Sequence, residues 1–263
     1  MRRPAGSGRA LSALAALALS CGLLAAVAQG ERTQYGNLVV SLDGGLAPLK
    51  LPRERPAPVT VRLAGGLRTT DGATLPRVTR IMLGLPGQGV IDTRGLPTCP
   101  ARKLRNATAP DALASCRPAL VGHGAIEADV LIPHQPAFRI RASLLAFNAR
   151  VDGRRAVLLH AFASDPPTVV VLPFILRLQA GRFGTTLVAD LPPSLGPWPH
   201  FAHFEMELSR RYVHRGRQRS YLSASCPIPS RFTAGFFSFA RATYTFAGGR
   251  QVSTGIARSC RAR

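Results

Sequence analysis

The stretch SLLAFNARVDGRRAVLLHAFA, residues 143–163, carries the clearest secondary-structure signal of this chain. Two strand-like runs, 143–151 and 154–163, flank the dipeptide Asp152-Gly153. Both turn residues accept positive φ, which the tight turns between adjacent antiparallel strands require. The stretch therefore predicts a β-hairpin.

Three more pairs of runs repeat this arrangement around turn dipeptides. The predicted pairs are 174–179 with 183–191, 203–212 with 218–223, and 242–247 with 251–257. In the first half, alternation predicts strands at 37–42, 59–63, 78–83 and 125–132, between loops rich in Gly and Pro. The predicted fold is all-β, an antiparallel β-sandwich built largely of hairpins, with one or two sandwich domains.

One short helix is predicted within this β-rich chain, between Cys99 and Cys116. It covers residues 110–115, with Thr108 as the candidate N-cap and Pro110 in its first turn. A proline is favourable there because the first turn of a helix has no use for its missing N–H.

A targeting segment precedes the strands. Arg2, Arg3 and Arg9 are followed by an uncharged run, 10–28, which ends in Ala26-Val27-Ala28. This is the organisation of a signal peptide, and we expect residues 1–28 to be removed before Gln29. Two alternatives stay open: an uncleaved anchor, since about twenty apolar residues can span a bilayer, and a lipidated Cys21.

The remaining four cysteines are Cys99, Cys116, Cys226 and Cys260. An even number in an exported chain predicts two disulfides. Three pairings are open, and short loops favour Cys99 with Cys116 and Cys226 with Cys260. No C-x-x-C spacing of a zinc site occurs, so no metal or other cofactor is predicted.

Charge is the second strong signal. The chain has 34 basic and 13 acidic residues, a formal charge of +21, which falls to +18 when the arginines of the leader are removed. Such a field attracts polyanions. The predicted partners are anionic envelope polymers or lipid head groups, with nucleic acid as a weaker alternative and solubility alone as the simplest explanation. The sequence predicts no oligomeric state.

The densest basic segment surrounds the third predicted hairpin. It contains Arg210, Arg211, Arg215, Arg217 and Arg219. Arginines with tyrosines between them suit phosphate contact and stacking, so these five residues form the predicted polyanion-binding site. The alternative is a hairpin tip that is merely solvated.

Aromatic residues are distributed unevenly along the chain. All twelve phenylalanines lie at or beyond Phe138. The predicted division is an N-terminal β-rich region, 29–135, and a C-terminal Phe-rich sandwich region, 136–263. A single sandwich whose later strands supply the large side chains is the alternative.

Candidate catalytic residues are few. In a strand, His203, Glu205 and Glu207 share one face, with His200 nearby, and such a face could bind a metal or hold paired carboxylates. An ordinary solvated strand face explains the same residues. No G-x-S-x-G elbow exists for a serine hydrolase, and no catalytic residue is predicted.

Segments 181–185, 189–192, 219–227 and 246–250, with the final Cys260, resemble exported β-rich proteins of high-GC actinobacteria. The resemblance implies export, a β fold and a bond between Cys226 and Cys260, and it supplies no activity.

The predicted function is that of a non-enzymatic secreted or cell-envelope protein with a strongly basic surface. The alternatives are a secreted hydrolase with a cryptic site and a module that binds a specific protein or nucleic acid.

Overall fold

The computed structural model describes residues 31–263. Their strands are β1 (Glu31–Tyr35), β2 (Leu38–Ala47), β3 (Lys50–Leu51), β4 (Ala57–Pro58), β5 (Thr60–Thr69), β6 (Val78–Leu85), β7 (Gly89–Ile91), β8 (Leu120–Val130), β9 (Phe138–Val151), β10 (Arg154–Ser164), β11 (Pro167–Leu178), β12 (Thr185–Asp190), β13 (Pro199–Leu208), β14 (Arg211–His214), β15 (Arg217–Ser220), β16 (Leu222–Ala224), β17 (Ala234–Phe246) and β18 (Gln251–Ala262). The helix α1 spans Ala109–Cys116. The prediction of an all-β protein with one short helix between Cys99 and Cys116 is confirmed.

Thirteen strands form one sheet in the order β1-β2-β5-β13-β8-β9-β10-β11-β12-β6-β17-β18-β3. Its pairs are antiparallel except for β18 with β3. Two small sheets, β14-β15 and β4-β16-β7, complete the described strands.

The hairpin predicted at residues 143–163 is formed by β9 and β10. Val151 lies opposite Arg154, and the turn between them has φ of 49° at Asp152 and 72° at Gly153. The hairpins β11–β12 and β17–β18 are also confirmed.

The third predicted hairpin needs a correction. Its first strand, predicted as continuous over 203–212, divides at Ser209-Arg210. β13 pairs with β5 and β8 in the large sheet, whereas β14 pairs with β15 alone. The strand divides because its two parts have different partners.

The large sheet curls until its two ends approach. Arg258 on β18 donates hydrogen bonds to the carbonyl oxygen of Gly44 and to the Asp43 carboxylate, both on β2. The main core lies inside the curl and includes Val40, Leu144 and Ile256 from widely separated strands.

A second, smaller core lies outside the curl. There α1 and the loop that precedes it cover β9 and β10, burying Leu104, Ala112, Phe147 and Leu158. Thr108 caps α1 as predicted, because its side chain accepts a hydrogen bond from the Asp111 N–H.

Both predicted disulfides are present. Cys99 joins Cys116 with Cα atoms 5.5 Å apart, and Cys226 joins Cys260 with Cα atoms 5.9 Å apart. Disulfides persist in oxidising compartments, so the pair indicates an extracytoplasmic environment. The first bond fastens the outer loop and the second lies in the main core.

The proposed boundary near residue 135 falls in the loop between β8 and β9, which are neighbours in one sheet. Strands from both sides of it alternate in that sheet, since β13 lies between β5 and β8. The predicted signal peptide, residues 1–28, and Cys21 lie outside the described residues. Within residues 31–263, no helix has the length and apolar character needed to cross a membrane.

Candidate ligand-binding cavity

The inner face of the curled sheet is lined by apolar side chains from alternate strand positions. Side chains along a strand point to opposite faces. Thus Ile81, Leu83 and Leu85 of β6 point inward, as do Leu159 and Ala161 of β10. These residues enclose a cavity of about 590 Å³, within the range of roughly 300 to 1,000 Å³ that is typical of ligand pockets.

Partial exposure distinguishes this wall from a packed core. Ile81, Ile126, Leu159 and Leu172 are only half-buried although they face the interior of the molecule. A close-packed interior has few voids larger than a water molecule and would bury such side chains fully. Their accessible surface therefore belongs to the cavity.

The two ends of the cavity differ. At one end the wall includes Leu222 of β16 and Val59, both buried. At the other end it consists of loop and strand-end residues that reach the surface, which we call the mouth: Ile132, Phe138, Pro166, Thr168 and Leu195. Phe138 is 36% exposed. A ligand would enter here.

Arg77 is the one charged residue of the cavity wall. It precedes β6 and continues the inward alternation of Thr79 and Ile81. Its carbonyl oxygen accepts a hydrogen bond from the N–H of Ala247, and the residue as a whole is half-buried. Among the residues that the structure describes, no carboxylate lies within ion-pair distance of its guanidinium.

Two tyrosine hydroxyls on the cavity wall lack a protein partner. Tyr221 and Tyr244 are 1% and 0% exposed, and neither hydroxyl has a hydrogen-bond partner among the described residues. Burial raises the pKa of both phenols, because the charged phenolate would lose its hydration. Because the two oxygen atoms have almost no accessible surface, the hydroxyls are buried within the wall and do not face the open space of the cavity.

The histidine and glutamate residues considered for catalysis lie elsewhere. His203 and Glu205 are exposed on the outer face of β13, whereas the intervening Phe204 faces the cavity. Glu205 is paired with Arg141 at 2.9 Å, and Glu207 with Arg62 at 2.7 Å.

His200 is separate from these carboxylates, because its Nδ1 lies 2.5 Å from the carbonyl oxygen of Leu75. Across residues 31–263, no group of three or more potential ligands could hold a metal ion. The constellation is thus an ion-paired outer strand face rather than a pocket.

The predicted polyanion-binding residues lie on and beside the small β14–β15 hairpin. Its turn has φ of 50° at Arg215 and 70° at Gly216. The hairpin is fixed to the protein rather than free, since the Tyr212 hydroxyl donates to the carbonyl oxygens of Asp92 and Arg94.

The five arginines are not equivalent. Arg219 is 2.8 Å from the Asp92 carboxylate, and both Arg210 and Arg219 are half-buried. Burial opposes the ionisation of Asp92, but hydrogen bonds from Arg94 and Arg219 outweigh it and lower the pKa of Asp92.

The other three arginines, Arg211, Arg215 and Arg217, are exposed. None has a carboxylate partner within the described part of the chain. They are the members of the set that could reach a polyanion. The polyanion site itself stays a prediction.

Comparison with known proteins identifies no relative. No protein-family model matches the chain, and no curated protein or solved structure matches it significantly. The resemblance to actinobacterial exported proteins therefore stays a prediction.

The cavity could not be predicted from the sequence. Strands show the same alternation of apolar residues whether those residues face a packed core or a cavity. One signal was present: the inward series of β6, read backwards from Leu85, ends in a charged residue, Arg77.

Proposed function

We propose that this protein is an exported, non-enzymatic binding protein that holds a long apolar molecule inside its curled sheet. The observation that carries the proposal is the cavity, whose wall is apolar apart from Arg77 and a few hydroxyl groups. Its mouth reaches the surface, so a ligand could enter without unfolding of the sheet.

The apolar wall of the cavity favours an apolar occupant. Apolar surface that stays in contact with water forgoes about 25 cal/mol per Å² of burial free energy. Water would fill the volume but leave the apolar wall hydrated. An apolar ligand recovers both packing and burial.

Export and envelope association belong to the same proposal. Cleavage before Gln29 would release a chain of formal charge +18, stabilised by two disulfides. In an envelope rich in anionic polymers and lipid head groups, such a charge would keep the carrier close to the surface from which it takes its ligand.

Polyanion binding is a second candidate function, on a different surface. It is supported by Arg211, Arg215 and Arg217, which project from a fixed hairpin without carboxylate partners. The hydrolase alternative has less support. The cavity wall in the described chain contains no histidine or carboxylate that could act as a general base.

The proposal is tested by titrating the exported protein, after extraction of bound lipid, with the methyl ester of cis-parinaric acid. Its fluorescence rises in an apolar environment, and we expect one saturable site per chain. Ala161→Phe, which places a ring inside the cavity, should weaken binding at least tenfold without loss of stability.

The matched control is Ala234→Phe, at an exposed position of β17 outside the cavity wall. It should bind the ester as the wild type does. Absence of saturable binding, or equal weakening by both variants, would reject the cavity as a ligand site.

A further inference from the structure

We infer that the ligand is an amphiphile with an anionic head group, a carboxylate or phosphate on a long apolar chain, and that Arg77 binds that head group at the mouth. The inference rests on the proposed function, because it concerns the same cavity. It adds the polarity of the ligand and the orientation in which it is held.

Arg77 has no acidic partner within the described chain. A guanidinium is always charged and presents donors in a planar fork that matches carboxylate and phosphate oxygens. Arg77 is half-buried as a residue, lies on an otherwise apolar wall and has no carboxylate partner in the described chain, so the protein leaves its charge unneutralised. An anionic head group would supply the missing partner.

Arg77 also lies at the end of the cavity where a head group would be placed. The carbonyl oxygen of Thr79 accepts a hydrogen bond from the N–H of Leu191, so the start of β6 lies beside the segment 192–195. Pro192, Pro193 and Leu195 line the same cavity as Arg77. Arg77 thus lies towards the mouth, while the wall beyond it is apolar. This order suits a head group near solvent and a chain inside.

Acidic groups near this end do not compete for Arg77. Asp190 is paired with Arg80, and Asp165 is exposed and does not line the cavity. Arg250, at the neighbouring β17–β18 turn, also has no carboxylate partner in the described chain, and its guanidinium carbon lies 5.5 Å from the centre of the Phe246 ring. Arg250 does not line the cavity, which makes it the natural control.

The test uses three competitors with the same twelve-carbon chain: laurate, dodecyl phosphate and dodecanol. Each displaces the parinaric methyl ester from the exported protein, below its micelle concentration and at neutral pH. We expect one or both anions to compete about tenfold better than dodecanol, as one charge-assisted contact allows. Arg77→Gln should reduce the anions to the level of dodecanol, whereas Arg250→Gln should leave all three unchanged.

The three competitors and the two arginine variants distinguish the possible results. A preference for laurate indicates a fatty-acid-like ligand, and a preference for dodecyl phosphate indicates a phosphate lipid; both support the inference. If Arg77→Gln leaves the ranking of the three competitors unchanged, or Arg250→Gln has an equal effect, the role of Arg77 is rejected while the cavity stands. If the methyl ester itself does not bind, the proposed function fails instead.

Discussion

The ring of Phe201 on β13 stacks against that of Tyr244 on β17, with centroids 5.8 Å apart and planes inclined by 23°. In the sheet these two strands are separated by β8, β9, β10, β11, β12 and β6. Their contact is therefore made across the curl, and it holds the walls together beside the cavity.

Replacing Phe201 with alanine should destabilise the protein by about 3–5 kcal/mol, since a buried ring is lost and the walls cannot close the gap. Urea unfolding would measure the change. Phe236→Ala is the control, because Phe236 is 86% exposed and its loss should change stability by less than about 0.5 kcal/mol. Similar values for the two variants would contradict the structural role of the stack.

Local structure was predictable where the signal is local. Asp152-Gly153 specifies a turn by its own backbone preferences, and the short loops between paired cysteines favoured the observed disulfides. The sheet order was not predictable. The insertion of β13 between β5 and β8, and of β6 between β12 and β17, depends on contacts between residues far apart in the chain.

The buried tyrosines predict a loss of stability at alkaline pH. Burial raises the pKa of Tyr221 and Tyr244 above the ordinary value of 10.0. Above pH 10 the unfolded chain therefore releases protons that the folded chain retains. Stability should fall by about 1.4 kcal/mol per pH unit for each tyrosine, and it should be constant, with respect to these groups, below pH 10.

The double variant Tyr221→Phe with Tyr244→Phe isolates this effect. Its stability at neutral pH should equal or exceed that of the wild type, because neither hydroxyl has a protein partner to lose. Its alkaline slope in urea unfolding between pH 9 and pH 11 should be shallower. An unchanged slope would show that these phenols ionise in the folded protein.

The outer disulfide should support stability and not ligand binding. Cys99 and Cys116 are 17 residues apart, and replacing both with alanine should cost about 3 kcal/mol by the loop-entropy model. Because their loop packs on the outer face of β9 and β10, affinity for the parinaric ester should stay within twofold of the wild type at low temperature. A large loss of affinity in a variant that is still folded would mean that the loop reaches the cavity.

The structure shows which arginines of the β14–β15 hairpin could bind a polyanion. Arg211, Arg215 and Arg217 should be changed to glutamine together, with Arg219 kept because it is paired with Asp92. Affinity for heparin, and its dependence on salt concentration, should both fall, since fewer counterions are released.

The matched control removes the same charge from the exposed residues Arg102, Lys103 and Arg105 of the outer loop. Equal effects of the two triple variants would mean that only net charge matters.

The cavity is another feature of the structure that could not be predicted from the sequence. Inward residues such as Leu159 and Ala161 obey the alternation of a half-buried strand, and nothing in that alternation reports how far away the opposite wall lies. Cavity volume depends on the curvature of the whole sheet. Arg77 can be recognised as a candidate ligand-binding residue only when the surrounding wall is known to be apolar.

A crystal structure of the protein grown with the methyl ester of 9,10-dibromostearic acid would show directly whether an apolar ligand occupies the cavity. We expect bromine anomalous density inside the curl, between Leu159 and Met206, at one site per chain. Bromine density confined to the outer surface, with the cavity filled by ordered water or collapsed, would contradict it.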